Sequence, residues 1–390
     1  MKKKEALWTR DYILLLLLAI LNVMGFSMTS SLISKYSMLQ GATLSLSGIV
    51  AGLFSVTAMC LRPFSGFLAD KINQKRLLLF SLLGTSAALA GYSFTSSIAV
   101  LCFFRIIHGA CYAISGTVTH TVAARLIPKS RIGEGIGYFS FGNVIATAIA
   151  PRLGLWLGET AGYVWSFRAS AVCTLAGASL TFFIMFSSAA PGFNKRKKPA
   201  FSDFLAVSAV PLALVSGLFS MTNGVISSFL VPLGEERLII GISGYFTVKA
   251  ISLMISRFLV SRIADKTKLS FIYYPAAVFE IIAMILLARA NVYAAIAASA
   301  VCKAFGQGIG QPAIQAEIVR RADPAAIGVA TSTFYLASDA GQGLGPILGG
   351  FVSEHFGYEA MFYFFGLVML AGMIFYLLYA GRFGKKPVQG

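Results

Sequence analysis

Apolar residues dominate this chain in long runs, and polar residues arrive in short clusters between them. The first run opens at Ile13 and is interrupted before Phe26 only by Asn22. Runs of about 20 residues, apolar on every side, match the hydrocarbon thickness of a bilayer at about 1.5 Å of helical rise per residue. Hydropathy predicts helices over 11–32, 44–69, 76–95, 98–124, 134–157, 164–187, 204–232, 240–261, 269–289, 292–318, 327–352 and 358–381. These twelve spans fill nearly the whole length and leave no room for an extramembrane domain of useful size. A membrane barrel would need alternating strands of about ten residues, and an open sheet edge cannot cross lipid. The expected class is therefore an all-α integral membrane protein.

Composition agrees with the pattern. Of 390 residues, 57% are hydrophobic and 12% charged, against about a quarter charged in a soluble domain. The mean hydropathy is +0.77. A net charge of +17 would suggest nucleic acid if the basic residues shared one soluble face, but they do not. Of the 32 Lys and Arg, 22 fall in alternate connections and at the two ends, while the opposite connections hold only Lys35, Arg168, Arg237 and Arg289. That asymmetry places both termini and the central connection in the cytoplasm of a cell whose plasma membrane holds the chain. Lys2, Lys3 and Lys4 before the first run imitate a signal peptide, but no small-residue cleavage site follows, so the run reads as a transmembrane helix. Cys60, Cys102, Cys111, Cys173 and Cys302 lie inside apolar runs without metal or redox spacing and read as packing residues.

Sliding the sequence on itself by half its length, 195 residues, uncovers a repeat. Arg62, Asp70 and Lys71 align with Arg257, Asp265 and Lys266. Pro151, Gly154, Glu159, Gly162, Tyr163 and Phe167 align with Pro346, Gly349, Glu354, Gly357, Tyr358 and Phe362. Two separated matches at one shift describe two six-helix halves of parallel orientation. The expected organisation is an N-terminal bundle over 1–188, a basic cytoplasmic linker over 189–203 and a C-terminal bundle over 204–390. The linker's Lys195, Arg196, Lys197 and Lys198 serve as an orientation signal or as an anionic-lipid site.

Local motifs then resemble those of the major facilitator superfamily, over essentially the whole chain. Gly66-Phe67-Leu68-Ala69-Asp70-Lys71, followed by Lys75 and Arg76, is similar to that family's cytoplasmic loop motif. Arg105 to Gly109 is similar to its R-x-x-x-G motif, and Gly341 to Gly350 (GQGLGPILGG) to the glycine and proline signature of its efflux branch. That signature belongs on helix 5 in the family, where here Ala150 and Leu155 replace two of its glycines around Pro151 and Gly154. The Arg62-Pro63 pair and Gly133-Glu134-Gly135 resemble segments of bacterial small-molecule exporters, including those of opine-type metallophores. The resemblance implies two pseudo-repeats around a central cavity lined by helices 1, 4, 7 and 10, acting as a functional monomer.

The polar positions inside the spans carry the candidate chemistry. Arg105, His108, Tyr112, Ser115 and Thr119 recur at helical spacing as one polar stripe. Lys303, Gln307 and Gln311 do the same on helix 10, Ser216, Ser220, Asn223 and Ser227 on helix 7, and Asn22 and Thr29 stand on helix 1. Such stripes line a substrate path or hydrogen-bond between helices. Asp339 and Glu280 are intramembrane carboxylates, each costing about 2.5 to 3.5 kcal/mol on insertion scales unless paired or used. Asp339 is the preferred proton carrier, since helix 11 should border the cavity. Glu280, on a peripheral helix of the family, either carries a proton or pairs with a neighbouring helix. His108 is a further proton relay or a core histidine with a local partner. Arg152 and Lys249 lie nearer the outer face and either snorkel or meet an anionic substrate. Arg62, Gly66, Asp70, Lys71, Arg76 and Asp265 form the expected conformational-switch loops, or else act as stop-transfer charges. Pro151, Gly154, Gly341, Gly345, Pro346 and Gly349 form the helix-packing motif.

No nucleotide loop, HExxH pair or nucleophile elbow occurs, so no enzyme, cofactor or metal site is expected. The expected function is secondary transport driven by a proton gradient: a proton-coupled exporter of a small organic molecule, or a proton-coupled importer of a sugar or organic anion. The excess of intramembrane cations (Arg105, Lys303, Lys249, Arg152) favours an anionic or zwitterionic substrate.

Overall fold

The structure is a computed structural model. It describes residues 7–95, 97–128, 132–185, 205–263, 267–322 and 327–383; within the helices the side chains of a few residues, among them Gly66, Asp70 and Lys71, lie outside that description. The expected linker over 189–203 and Asp265 also lie outside it.

Among the described residues the chain is all helix and turn. The helices are α1 (Arg10–Ser30), α2 (Ile33–Leu39), α3 (Leu44–Lys71), α4 (Gln74–Gly91), α5 (Ile98–Leu126), α6 (Ile132–Thr160) and α7 (Tyr163–Leu180). They continue with α8 (Val210–Glu236), α9 (Gly244–Ile263), α10 (Leu269–Ala288) and α11 (Tyr293–Arg321). The stretch Ile327–Phe383 breaks at Gly357 into α12 (327–356) and α13 (358–383). All twelve predicted spans have a helix. The short α2 was not expected, and α7 stops at Leu180 because Thr181, Phe182 and Phe183 close a tighter turn onto the carbonyls three residues back. Gly162 and Gly357, partners in the 195-residue repeat, both hold positive φ (98° and 82°) at the α6–α7 and α12–α13 turns, a conformation that a Cβ penalises.

Large apolar side chains are exposed along these helices, including Phe103 (57%), Phe271 (72%) and Leu367 (64%). In water such a surface would aggregate, whereas lipid solvates it. The α8 segment 207–236 and the α12–α13 segment 329–380 are among seven stretches long and apolar enough to cross a membrane.

Two compact units form. One comprises the described residues of Met1–Gln40 and Val56–Lys197, the other those of Gly41–Ser55 and Lys198–Gly390. In the first, α1 packs on α6 and α7, and α4 on α5 and α7; Leu15, Leu18, Leu78, Leu82, Val118 and Val122 fill its core. In the second, α8 packs along α12 and α13, and α11 lies against α9 and α10; Phe219, Tyr273, Ile314, Met369 and Tyr376 fill that core. The first fifteen residues of this unit, at the start of α3, meet α12: the Ser45 N–H donates to the Glu354 carboxylate at 2.6 Å.

Small residues set the closest approaches. A Cβ on Gly341 would overlap the Gly217 carbonyl oxygen and stand 3.0 Å from the Met221 nitrogen, and one on Gly345 would stand 3.1 Å from the Met221 carbonyl carbon. In the first unit a Cβ on Gly154 would come within 2.9 Å of the Met28 carbonyl oxygen. The glycine motif of α12 and its counterpart in α6 therefore each seat a helix against the repeat-equivalent partner, α8 and α1. Gly341→Leu is expected to lower stability by about 1–3 kcal/mol through overpacking, read as a fall in the unfolding midpoint of purified protein. Gly116→Ala, where a Cβ meets nothing within 4 Å, is expected to leave that midpoint nearly unchanged.

Candidate functional site

The second unit builds its polar centre from α8, α9, α10, α11 and α12. Lys303 on α11 and Glu280 on α10 are both fully buried and form an ion pair, with Nζ 2.9 Å from Oε1 and 2.8 Å from Oε2. Lys303 also donates to Thr222 Oγ1 at 2.7 Å and to the Phe219 carbonyl at 3.1 Å. Thr222 in turn donates to Glu280 Oε2 at 3.2 Å. Every group in the triad has a partner, which is the condition for holding opposite charges away from water.

One residue along α8, Asn223 turns to the other side of the triad. Its carbonyl oxygen accepts from Lys249 of α9, and its amide donates to Gln342 Oε1 of α12 at 3.0 Å. Further along the same face, Gln311 donates to Ser220 Oγ at 2.7 Å and to the Ser216 carbonyl at 3.3 Å, and accepts from Gln307 at 3.2 Å. Ser220 and Ser338 share a hydrogen bond of 2.6 Å. Among the described residues the buried Gln307 Oε1 meets no hydrogen-bond partner. Asp339 stands half-buried on α12, three residues before Gln342.

The first unit gathers a smaller cluster. His108 on α5 is fully buried, and its Nδ1 lies 3.1 Å from the Tyr92 hydroxyl. The buried Arg105 guanidinium also meets that hydroxyl. Tyr112 stacks on Phe26 of α1 at 4.9 Å between ring centroids, and Asn22 of α1 donates to Ser115 Oγ at 3.3 Å. The stripe read from α5 therefore faces α1 and the end of α4. Arg152 is elsewhere: it is exposed on the α6 face that carries Ile145, Ile149 and Trp156, while Pro151 and Gly154 are buried toward the core. Arg62 is half-buried on α3, and Arg76 is exposed at the start of α4, where Asn73 caps the helix.

Several placements differ from the sequence reading. Lys303 does not line an open path; it is sealed against Glu280, and its charge leaves the intramembrane surplus. Glu280 takes the second of its two expected roles, pairing from α10 with Lys303 of the neighbouring α11 and with Thr222 of α8. Lys249 does not snorkel outward, because its ammonium turns in to Asn223. Thr222 and Ser338 carry no sequence signal that marks them for this polar centre. Thr222 follows a run of apolar neighbours on the opposite side of α8 from the stripe, and only the facing carboxylate identifies it.

The repeat sharpens the contrast. At the 195-residue shift Thr222, Glu280 and Lys303 correspond to Ser27, Thr85 and His108, all buried. One unit has a charged triad where the other has two hydroxyls and an imidazole. Lys303→Met or Glu280→Gln alone, by stranding one buried charge, is expected to cost about 3–5 kcal/mol, and Lys303→Met with Glu280→Met to recover most of it. Unfolding midpoints of the three purified variants decide this.

The chain's relatives follow the same outline. Residues 15–288 and 272–389 match the model of the Major Facilitator Superfamily. The multi-drug resistance efflux pump PmrA of Streptococcus pneumoniae is 24% identical over 347 residues, covering 87% of this chain and 85% of that protein. The staphylopine export protein of Staphylococcus aureus is 25% identical over 387 residues, covering 95% of each. Among solved structures, a bacterial homolog to the human lysosomal transporter Spinster, in an inward-facing and unoccupied conformation, is similar over 100% of both chains with a TM-score of 0.80 at 13% identity. At that identity the likeness is one of fold. Paired six-helix repeats, lipid-facing apolar surfaces, the glycine-seated helices and these matches lead to one conclusion: the chain is a multi-pass membrane protein that belongs to the major facilitator superfamily.

Proposed function

We propose that this protein is a proton-coupled exporter of a small organic anion or zwitterion, working by alternating access in the cytoplasmic membrane as a monomer with both termini on the cytoplasmic side. The observation that carries export is the similarity, over more than four fifths of the chain, to proteins named as an efflux pump and an export protein. The orientation is supported by the 22 basic residues gathered in alternate connections and at the ends.

The polar groups inside the helices support the division of labour. Asp339 is the coupling carboxylate: it is half-buried on α12, three residues before Gln342, whereas Glu280 is fully buried with both oxygens on Lys303. A carboxylate that must load and release a proton each cycle cannot be locked in a dry ion pair. His108 is held by Tyr92 and acts as a positioning residue in the first unit rather than as the carrier. With Lys303 neutralised, Arg105 and Lys249 remain as the buried and half-buried cations that favour a negatively charged group on the substrate.

Reconstituted into proteoliposomes with an imposed pH gradient of either sign, the protein is expected to drive organic acids and zwitterions out of the compartment matching the cytoplasm in exchange for protons. Movement only in the same direction as protons would make it an importer. Asp339→Asn is expected to abolish gradient-driven flux, by at least tenfold, while leaving the protein folded and able to exchange substrate without a gradient. Unchanged gradient-driven flux in that variant would remove Asp339 from the coupling step.

A further inference from the structure

The charges around Lys303 do not balance within the second unit. Lys249 lies within electrostatic reach of both Lys303 and Glu280, so two ammonium groups share one carboxylate. Glu280 has nothing left to give: Lys303 takes both of its oxygens and Thr222 takes one of them again. Lys249 instead donates to a neutral acceptor, the Asn223 amide oxygen. An ammonium carries three N–H donors, and a neutral amide is a weaker partner for it than a carboxylate.

The surroundings of Lys249 are polar and only partly covered. Lys249, Asn223 and Gln342 are all half-buried, where the Lys303–Glu280 pair behind them is fully buried. Asn223 passes its own N–H to the Gln342 oxygen at 3.0 Å, so the donor capacity that Gln342 adds beside Asn223 is its NH2. Three helices, α8, α9 and α12, thus bring one ammonium and one amide group together on a single half-buried polar patch. A dry charge pair forms its floor.

We propose that Lys249, flanked by Asn223 and Gln342, is a binding subsite for a carboxylate group of the transported molecule. This rests on the reading of the protein as a transporter of anions or zwitterions and names the group recognised and the residues that recognise it. An incoming carboxylate displaces the Asn223 oxygen from Lys249, receives one oxygen's hydrogen bonds from the ammonium and the other's from the Gln342 amide, and brings the local count to two cations and two anions. The repulsion between Lys249 and Lys303 is then offset, and the low polarity of the site strengthens the contact. The Lys303–Glu280 pair acts as a positioning element: it keeps Glu280 from neutralising Lys249, so the cation is available to the substrate. No covalent step is involved.

The experiment measures binding without any gradient, so that it can fail independently of export. Benzoate, succinate and N-acetylphenylalanine, each beside its uncharged amide, are titrated to tens of millimolar against purified full-length protein at constant ionic strength, with the unfolding midpoint as readout. At least one carboxylate is expected to raise the wild-type midpoint in a saturable way while its amide does not. Lys249→Met is expected to weaken that carboxylate at least tenfold and Lys249→Arg less than threefold. Gln342→Leu, which keeps every charge, is expected to weaken it severalfold and decides the matter if Lys249→Met does not fold. Equal stabilisation by acid and amide, no stabilisation of the wild type by any of the three acids, or full carboxylate binding in Lys249→Met and Gln342→Leu would each overturn the subsite. Carboxylate binding with no proton-driven flux in proteoliposomes would leave the subsite standing and remove the export reading instead.

Discussion

Hydrocarbon offers no hydrogen bond to a peptide group or a side chain, and an unmet one costs several kcal/mol there. Most of what is ordered in this molecule answers that constraint. The backbone meets it by remaining helical through every crossing. Polar side chains meet it by turning onto one another: Ser and Thr hydroxyls donate back to the carbonyls three or four residues earlier, as at Ser31, Thr85 and Thr174, and longer groups reach across helices. Lys303 and Glu280 are the strongest case, since two full charges stay buried only because Thr222 and the Phe219 carbonyl complete their shells. Three helices are thereby fixed in register by one set of contacts. Glycines complete the arrangement by bringing backbones close enough for these short reaches.

The two halves solve the same packing problem with different chemistry. Equivalent glycines, Gly154 and Gly349, press against α1 and α8, and equivalent positive-φ glycines, Gly162 and Gly357, turn the chain between equivalent helices. At the polar centre the equivalence is only positional. Ser27 and Thr85 carry no charge, and the imidazole of His108 is held by the Tyr92 hydroxyl rather than by a carboxylate. Glu280 and Lys303 need each other. Fold symmetry has been kept while the chemistry has diverged, which is how one scaffold confines a specialised site to one of its halves.

Legibility in the sequence follows the range of the forces involved. The helices were readable because the apolar runs are long and the breaks between them carry charge; α2, seven residues tucked after α1, the early stop of α7 and the start of α8 at Val210 rather than 204 escaped, all being matters of local turn geometry. The polar stripe on α5 was readable because periodicity is a property of one helix. Partner choice is not. Glu280 and Lys303 are 23 residues apart on neighbouring helices, and a cost of burial shows that Glu280 needs a partner without showing that the partner is Lys303. Lys249 sits close enough to a helix end to snorkel, and nothing in its own segment shows that Asn223 of α8 waits on the inner side. What fails to show in the sequence is therefore the set of contacts between helices, where the second residue decides the meaning of the first.

Charge illustrates the same point at the scale of the whole chain. A formal +17 is mostly topology, since the basic residues collect in the connections that face one side of the membrane. The informative part is the intramembrane excess, and the structure divides it. Lys303 is cancelled by Glu280, Arg152 is exposed on α6, and Arg105 is buried beside Tyr92. Lys249 is left half-buried against a neutral amide, with a like charge behind it. A cation held in that state is destabilised until an anion arrives, so binding energy is available only to a ligand that brings negative charge to that point. Discrimination between an acid and its amide then comes from the cost of the empty site as much as from the contacts of the filled one.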